Sequence, residues 1–272
     1  MNKSIGIAAA ILLGALLLGA SGCGIIDGLK ARNHVNEGVA AYSAKEYPEA
    51  VEHFKRAVEL DPELLDAKLY LAHSYRIQYV PGIPRPDNQA LAENAIQTFQ
   101  EVVEEAPEDR PDAKSNAMAS IAGLYDSMGE YEKAKDWFQR RAEIETDNAE
   151  PLYGLGTVAY KQANNLTGEK GANVEELSEE ERQQATSFVE EGIKALQDAR
   201  EIRPDYADAL EYLNLLYRER SELAENEEEK ERWEREASKL SLEALRLRRQ
   251  QQREEEQKRR APLGGREQSS EN

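Results

Sequence analysis

Apart from its many carboxylates, the chain has few residues able to do chemistry. Its 272 residues include a single cysteine and three histidines, His34, His53 and His73, against 53 aspartates and glutamates. No histidine stands at a metal-ligand spacing such as HExxH, and the sequence has neither a glycine-rich phosphate loop nor a GxSxG motif. With so many acids, adjacent carboxylates carry no information about acid-base catalysis. We therefore predict no enzyme activity, no metal site and no cofactor, and expect surface or packing roles for His34 and His53.

Cys23 differs from these residues because of what precedes it. Lys3 is followed by an apolar run from Ile5 to Leu18 and then by the small residues Ala20-Ser21-Gly22. This order is typical of an export signal, and the run is shorter than the roughly 20 apolar residues that spanning a bilayer takes. A lone cysteine forms no disulfide within the chain. A cleaved signal with an incidental cysteine and an uncleaved anchor are the alternatives.

The stretch Ala20-Ser21-Gly22-Cys23 resembles the lipobox of bacterial lipoproteins, with Ala20 where leucine is most common. In that family the cysteine is lipidated and becomes the mature N-terminus. The resemblance implies a signal peptide over 1–22, a lipidated linker over 23–30 and a membrane anchor at Cys23. Two or three acyl chains would hold the protein durably on a membrane. In a cell with two membranes, Gly24, where an aspartate would imply the inner membrane, implies the periplasmic face of the outer membrane.

The stretch from Gly38 to Pro62 predicts two short helices folded against each other. When Ala31 is counted as the first position of a 34-residue unit, Gly38 and Ala50 fall where the helices cross and Phe54 fills the space beside them. Apolar residues three and four apart leave each hairpin with a face that only another hairpin can cover. This spacing resembles the tetratricopeptide repeat. The resemblance implies an all-α solenoid whose first helices line a protein-binding groove.

Further units with related spacing begin near Leu65, Ser115, Ala149 and Ala207, which predicts about five helical hairpins. We expect this repeat domain to extend over 31–248, with insertions near 77–87 and 162–178.

Both insertions contain signals for loops. The first has the sequence YVPGIPRPD at its centre, whose three prolines and one glycine cannot continue a helix. In the second we expect a flexible loop from Asn164 to Asn173. Ser178 and Glu181 form a capping-box pattern, so the next helix is predicted to begin there.

The C-terminal part predicts one long helix, because no glycine or proline occurs from Glu222 to Gln257. Apolar residues recur at alternating spacings of four and three, at Trp233, Ala237, Leu240, Ala244 and Leu247. This stripe favours a helix that caps the last hairpin. A coiled-coil seam is the alternative, but a seam needs about three to four sustained heptads and the stripe is shorter. A charged, disordered tail is predicted over 249–272.

The resemblance also implies which residues face the groove, because positions 2, 5, 9, 12 and 13 do so in the family. These positions hold Tyr42, Leu69, His73, Arg76, Asp126, Tyr153, Tyr160, Lys161, Glu211 and Arg218. We expect Tyr153 and Tyr160 to be exposed, without a packing role. Repeats that clamp a chaperone's C-terminal carboxylate use lysine and asparagine where this chain has Val35 and Val39, which argues against that ligand class. A solvated or self-covered face is the alternative to a binding groove.

The net charge of −18 argues against nucleic-acid binding, which depends on clustered Lys and Arg. We therefore predict a membrane-anchored envelope lipoprotein that acts as a repeat adaptor or scaffold for envelope proteins or peptides. The alternative is a structural envelope component that self-associates through its C-terminal helix.

Overall fold

The computed structural model describes Gly24 and residues 26–260. The predicted signal peptide, Cys23 and the last part of the predicted tail, 261–272, lie outside the described residues. Within the described part every regular element is a helix, as the predicted all-α class requires. None of these helices combines the length and apolarity that crossing a bilayer requires.

The helices follow one another as hairpins joined by short connections. They are α1 (26–43), α2 (Tyr47–Leu60), α3 (Leu65–Gln78), α4 (Pro86–Glu105), α5 (Pro111–Ser127), α6 (Tyr131–Ile144), α7 (Ala149–Thr167), α8 (Glu179–Ile202), α9 (Ala207–Glu222) and α10 (Glu227–Arg260). Two 3₁₀ turns, Glu169–Gly171 and Val174–Glu176, connect α7 to α8.

Close approach of the paired helices depends on the small residues that the repeat spacing singled out. A Cβ atom added to Gly38 on α1 would lie 2.6 Å from Cε1 of Phe54 on α2. Ala50 and Phe54 have no exposed surface. The predicted crossing of the first hairpin is therefore confirmed, and an aromatic side chain lies directly against the backbone of the facing helix.

By its internal contacts the chain divides into a first unit that ends at Trp137 and a second that begins at Phe138, with the boundary inside α6. The first unit buries large apolar side chains that include Phe54, Phe99 and Ile121. In the second unit one apolar cluster joins residues of α7, α8, α9 and α10, and Leu210 and Leu213 of α9 are almost fully buried in it.

The two inserted segments are fixed by hydrogen bonds. Asn88, in the first turn of α4, donates from Nδ2 to the carbonyls of Val80 (2.8 Å) and Ile83 (2.9 Å) and accepts from the Val80 N–H. The proline-rich segment is thereby held against the helix that follows it.

In the second insertion α7 continues through Thr167, so the first four residues of the predicted loop from Asn164 to Asn173 are helical and the connection begins at Gly168. The Thr167 hydroxyl donates to Oε2 of the buried Glu219 at 2.7 Å, which ties the end of α7 to α9. The predicted capping box is present, with Ser178 and Glu181 bonded reciprocally at the start of α8.

The last helix covers the final hairpin, as predicted. Ala237, Leu240 and Ala244 of α10 are buried against α9. Asn214 of α9, which occupies a position where the repeat has a small residue, donates a hydrogen bond to the carbonyl of Ala237. α10 also extends to Arg260, so 249–260 are helical in the segment for which the sequence predicts disorder. Residues four apart support this extension, since Gln250 donates to Glu254 at 2.9 Å.

Candidate protein-binding surface

In the first unit the predicted groove residues lie mostly on one face of α3. Leu69, His73 and Arg76 follow one another at spacings of four and three, so their side chains leave the helix in similar directions. The His73 ring packs edge-on against Phe99 of α4, with the ring centroids 4.9 Å apart. Burial, and to a smaller extent the Arg76 guanidinium, lower the pKa of His73 to about 4. His73 is therefore a neutral, half-buried residue, while Arg76 is exposed.

Two other predicted groove residues of this unit lie on the first helices of other hairpins, α1 and α5. Tyr42, near the end of α1, is half-buried and makes an edge-on contact with Tyr47, with the ring centroids 5.3 Å apart. Asp126 is half-buried near the end of α5.

In the second unit four tyrosines form a continuous aromatic patch, Tyr153, Tyr160, Tyr206 and Tyr212, which we call the tyrosine cluster. The Tyr212 ring of α9 lies edge-on between those of Tyr153 and Tyr160 of α7, at centroid distances of 5.6 and 5.8 Å. Tyr206, just before α9, is 5.1 Å from Tyr153. Edge-on and tilted arrangements of this kind are favourable for aromatic rings.

The tyrosine cluster presents hydroxyl groups that can bond to a ligand. Burial is the largest cause of a raised pKa at Tyr153, Tyr160 and Tyr206, so these hydroxyls keep their protons. The hydroxyls of Tyr153 and Tyr160 have no hydrogen-bond partner among residues 26–260. Each is therefore a neutral donor and acceptor on a ring whose orientation is fixed by its neighbours.

Tyr153 and Tyr160 were expected to be exposed and without a packing role, and this expectation was wrong. Both side chains are half-buried and pack against the apolar cluster of the second unit. The reason is that Tyr212 projects from the neighbouring first helix towards both of them. Tyr206 and Tyr212 were not predicted, although Tyr212 directly follows Glu211, a predicted groove position.

The remaining predicted groove residues of this unit differ in their hydrogen bonds and in their burial. Glu211 accepts hydrogen bonds from Nε (2.5 Å) and Nη2 (2.8 Å) of Arg248, so α10 reaches a predicted groove position. Arg218 is exposed and donates to Asn214 at 3.2 Å. Lys161 is half-buried on α7, next to Tyr160. At Glu211, therefore, the chain itself covers the predicted groove, as the alternative to a binding groove supposes.

One group of metal-ligating side chains comes together in the described part of the chain. His34 and Glu37 of α1 meet His53 of α2, with their ligand atoms within 4.8 Å of one another. The sequence predicts no metal site, since His34 and His53 are 19 positions apart and share no recognised motif.

Comparison with known proteins identifies the repeats. A family model described as "Tetratricopeptide repeat" matches residues 31–64, and a second with the same description matches residues 115–148. Heat shock protein STI1 of Saccharomyces cerevisiae is 29% identical over 114 residues, which are 41% of this chain and 17% of that protein. The matched part is thus a small fraction of the curated relative.

Solved structures extend the similarity to most of the chain. A crystal structure of MamA protein aligns with a TM-score of 0.55 at 17% identity, covering 83% of this chain and 96% of that one. A structure of MamA, residues 41 to the end, from Desulfovibrio magneticus RS-1 gives a TM-score of 0.54 at 14% identity, covering 82% and 97%. The two family matches coincide with the first and third predicted units. Two segments of the chain therefore match the tetratricopeptide repeat, and the chain has the fold of tetratricopeptide solenoids.

Proposed function

We propose that the protein is a membrane-anchored envelope lipoprotein whose repeats act as an adaptor for partner proteins or peptides. The binding function depends chiefly on one observation, the half-buried tyrosine cluster with unengaged hydroxyls on α7. The anchor depends on the sequence that ends at Cys23, outside the described residues.

The tyrosine cluster has the properties of a surface that binds protein. Tyrosine buries a large area with few rotatable bonds, and such rigid aromatic side chains are frequent energetic centres of protein interfaces. The packing of the rings on one another fixes them before a ligand arrives, which lowers the entropy lost on binding. A peptide with exposed backbone groups and apolar side chains suits both the ring faces and the hydroxyls.

The anchor would determine where such partners are met. The first helix is present by residue 26, so only a few residues separate Cys23 from folded structure. The repeats would lie close to the membrane surface, and the partners would be proteins of the envelope.

Site-specific photo-crosslinking tests the adaptor function. We would place a photo-reactive amino acid at Lys161, beside Tyr160 on α7, and separately at Lys194, which is exposed on α8. Irradiation of intact membranes should join envelope proteins to position 161 and not to position 194. Equal crosslinking at both positions, or none at 161, would contradict the proposed binding surface.

Self-association through α10 is a second candidate, favoured by a specific observation. Leu242 and Leu245 of α10 are 58% and 47% exposed, and together with Leu215 of α9 they line a surface cavity of about 410 Å³. Removing α10 would be a poor test because this helix covers core residues. A better test is light scattering on the full chain in detergent, which compares the oligomeric state of the wild type with that of the variant that combines Leu242→Glu and Leu245→Glu. A dimer lost in this variant would favour self-association, and a monomer in both forms would favour the adaptor.

A further inference from the structure

The first hairpin holds a compact group of ligating side chains where α1 meets α2. His34 and Glu37 are one turn apart on α1, and His53 faces them from α2. We call these three residues the His–Glu cluster. The close contact between Gly38 and Phe54 nearby brings the two helices together. No described element outside this hairpin contributes a ligating atom to it.

The distances within the His–Glu cluster match the requirements of a small tetrahedral ion. The Nδ1 atoms of His34 and His53 are 3.5 Å apart, and each lies 3.1 Å from Oε2 of Glu37. Zinc binds nitrogen and oxygen ligands at about 2.0–2.1 Å in tetrahedral geometry, so neighbouring ligand atoms are about 3.3–3.4 Å apart. The three ligand atoms thus have nearly the spacing of one face of such a tetrahedron.

We propose that the His–Glu cluster binds a zinc ion through Nδ1 of His34, Nδ1 of His53 and a carboxylate oxygen of Glu37. Two histidines with one glutamate are an established donor set for zinc, and the fourth position is then taken by water. The side chains of His34, His53 and Glu37 are 30%, 28% and 45% exposed, which leaves a path for the ion from solvent. This proposal is independent of the proposed adaptor function.

A neighbouring carboxylate fits the same arrangement. Glu49 lies one turn before His53 on α2, with Oε1 3.8 Å from Nε2 of that ring. When Nδ1 binds a metal, the remaining proton of the ring is on Nε2 and faces Glu49. Carboxylates in this position orient metal-bound histidines and increase their basicity.

A cluster without metal has a different chemistry that experiment can distinguish. Both rings would then carry their proton on Nδ1 and donate to Glu37, forming a polar link between α1 and α2. Zinc binding requires Nδ1 to be free of protons, so the ion would move the proton of each ring to Nε2.

Zinc would also stabilise this hairpin, because the ion would join α1 to α2 in the folded state only. A ligand that binds only the folded state stabilises it by RT ln(1 + [L]/Kd), so the melting temperature rises with the concentration of free zinc. The first hairpin packs on a neighbour at α3, so a crosslink between its helices would reinforce an end of the repeat array.

The test is a zinc titration of the full chain in detergent after treatment with a chelator. Wild type should bind one zinc ion in competition with a chromophoric chelator, and the melting temperature should rise with zinc. His53→Gln and Glu37→Gln should each weaken zinc binding at least tenfold and abolish this rise. Glu52→Gln is the matched control, since Glu52 is exposed, adjacent to His53 and outside the cluster. It should bind zinc like the wild type.

Equal zinc affinity in wild type and His53→Gln would overturn the proposal, as would an affinity that depends on Cys23 alone. Nitrogen NMR of the wild-type histidines keeps the test decisive if a variant fails to fold. Added zinc should shift the Nδ1 signals of two histidines to values typical of metal-bound nitrogen. Signals that still show protonated Nδ1 at saturating zinc would contradict the site.

Discussion

At the residue scale, the glycines of α7 show how tightly the hairpins are packed. A Cβ atom at Gly156 would lie 2.3 Å from Cγ of the fully buried Leu196, so no side chain fits there. At Gly123, inside α5, a Cβ atom would meet nothing within 4 Å. Substitution by alanine should therefore change the free energy of unfolding in opposite directions at these two helical glycines.

We predict that Gly156→Ala lowers the free energy of unfolding by about 1–3 kcal/mol, because the added methyl group overpacks the contact with Leu196. Gly123→Ala, the matched control, should raise it by about 0.5–1 kcal/mol, since alanine favours the helix and has free space. Urea denaturation of both variants measures the difference. Stabilisation by both substitutions would show that α7 and α8 are not in such close contact.

His73 should make the free energy of unfolding depend on pH. Its pKa is about 4 in the folded protein, against an ordinary value of 6.5 that applies to the unfolded chain. Between these values the unfolded chain binds more protons, so the stability due to neutral His73 is complete above pH 6.5 and is lost as the pH falls towards 4.

We predict that acidification from pH 7 to pH 4 destabilises the wild type by about 2 kcal/mol more than His73→Gln, allowing for solvent screening at a half-buried site. Thermal melts at several pH values measure both slopes. The difference between the slopes is the relevant quantity, because the substitution also removes the ring contact with Phe99. Parallel slopes would mean that His73 titrates normally.

At the element scale, the helical hairpins could be predicted from the sequence because their determinants recur locally. Gly38, Ala50 and Phe54 stand at fixed spacings within one unit, and their packing follows from those spacings alone. The cap was predictable for the same reason, since one stripe on α10 is buried against α9. The extra helical turns to Arg260 were missed because charged residues carry no apolar periodicity.

The candidate sites were predicted less well because they depend on the rotation of one helix relative to another. Tyr212 meets Tyr153 and Tyr160 across two helices, and their separation in sequence gives no sign of it. In the same way His34 and His53 come together only when α1 and α2 close into a hairpin. Spacing within one helix identifies which face a residue is on, but not which side chain it meets.

At the scale of the whole molecule, the proposed function needs a lipid anchor as well as a repeat surface. We predict that Cys23→Ser removes the lipid and the mature lipidated form, because serine lacks the thiol that receives the first acyl group. Mass spectrometry and membrane fractionation measure both effects. Ser21→Ala, which keeps the cysteine and a small residue before it, should behave like the wild type. A Cys23→Ser protein that stays in the membrane with its lipid intact would refute the anchor.

The proposed function requires the tyrosine cluster to bind partner proteins through groups that the fold itself does not need. Removing the rings would lower the stability of the fold as well as any binding, because Tyr153 and Tyr160 pack against α9, and the two effects could not be separated. Removing only their hydroxyls leaves the packing in place. Tyr217→Phe is the control, since the hydroxyl of Tyr217 accepts a hydrogen bond from Gln197 at 3.2 Å and its ring packs against Trp233 of the cap.

The most direct measurement is therefore the recovery of partners crosslinked through position 161 from membranes, with Tyr153→Phe and Tyr160→Phe combined. Two lost hydrogen bonds of about 0.5–1.5 kcal/mol each should reduce recovery about fivefold or more. The melting temperature should stay at the wild-type value, and Tyr217→Phe should leave recovery unchanged. Full recovery of partners in the double variant, at an unchanged melting temperature, would contradict binding through the tyrosine cluster.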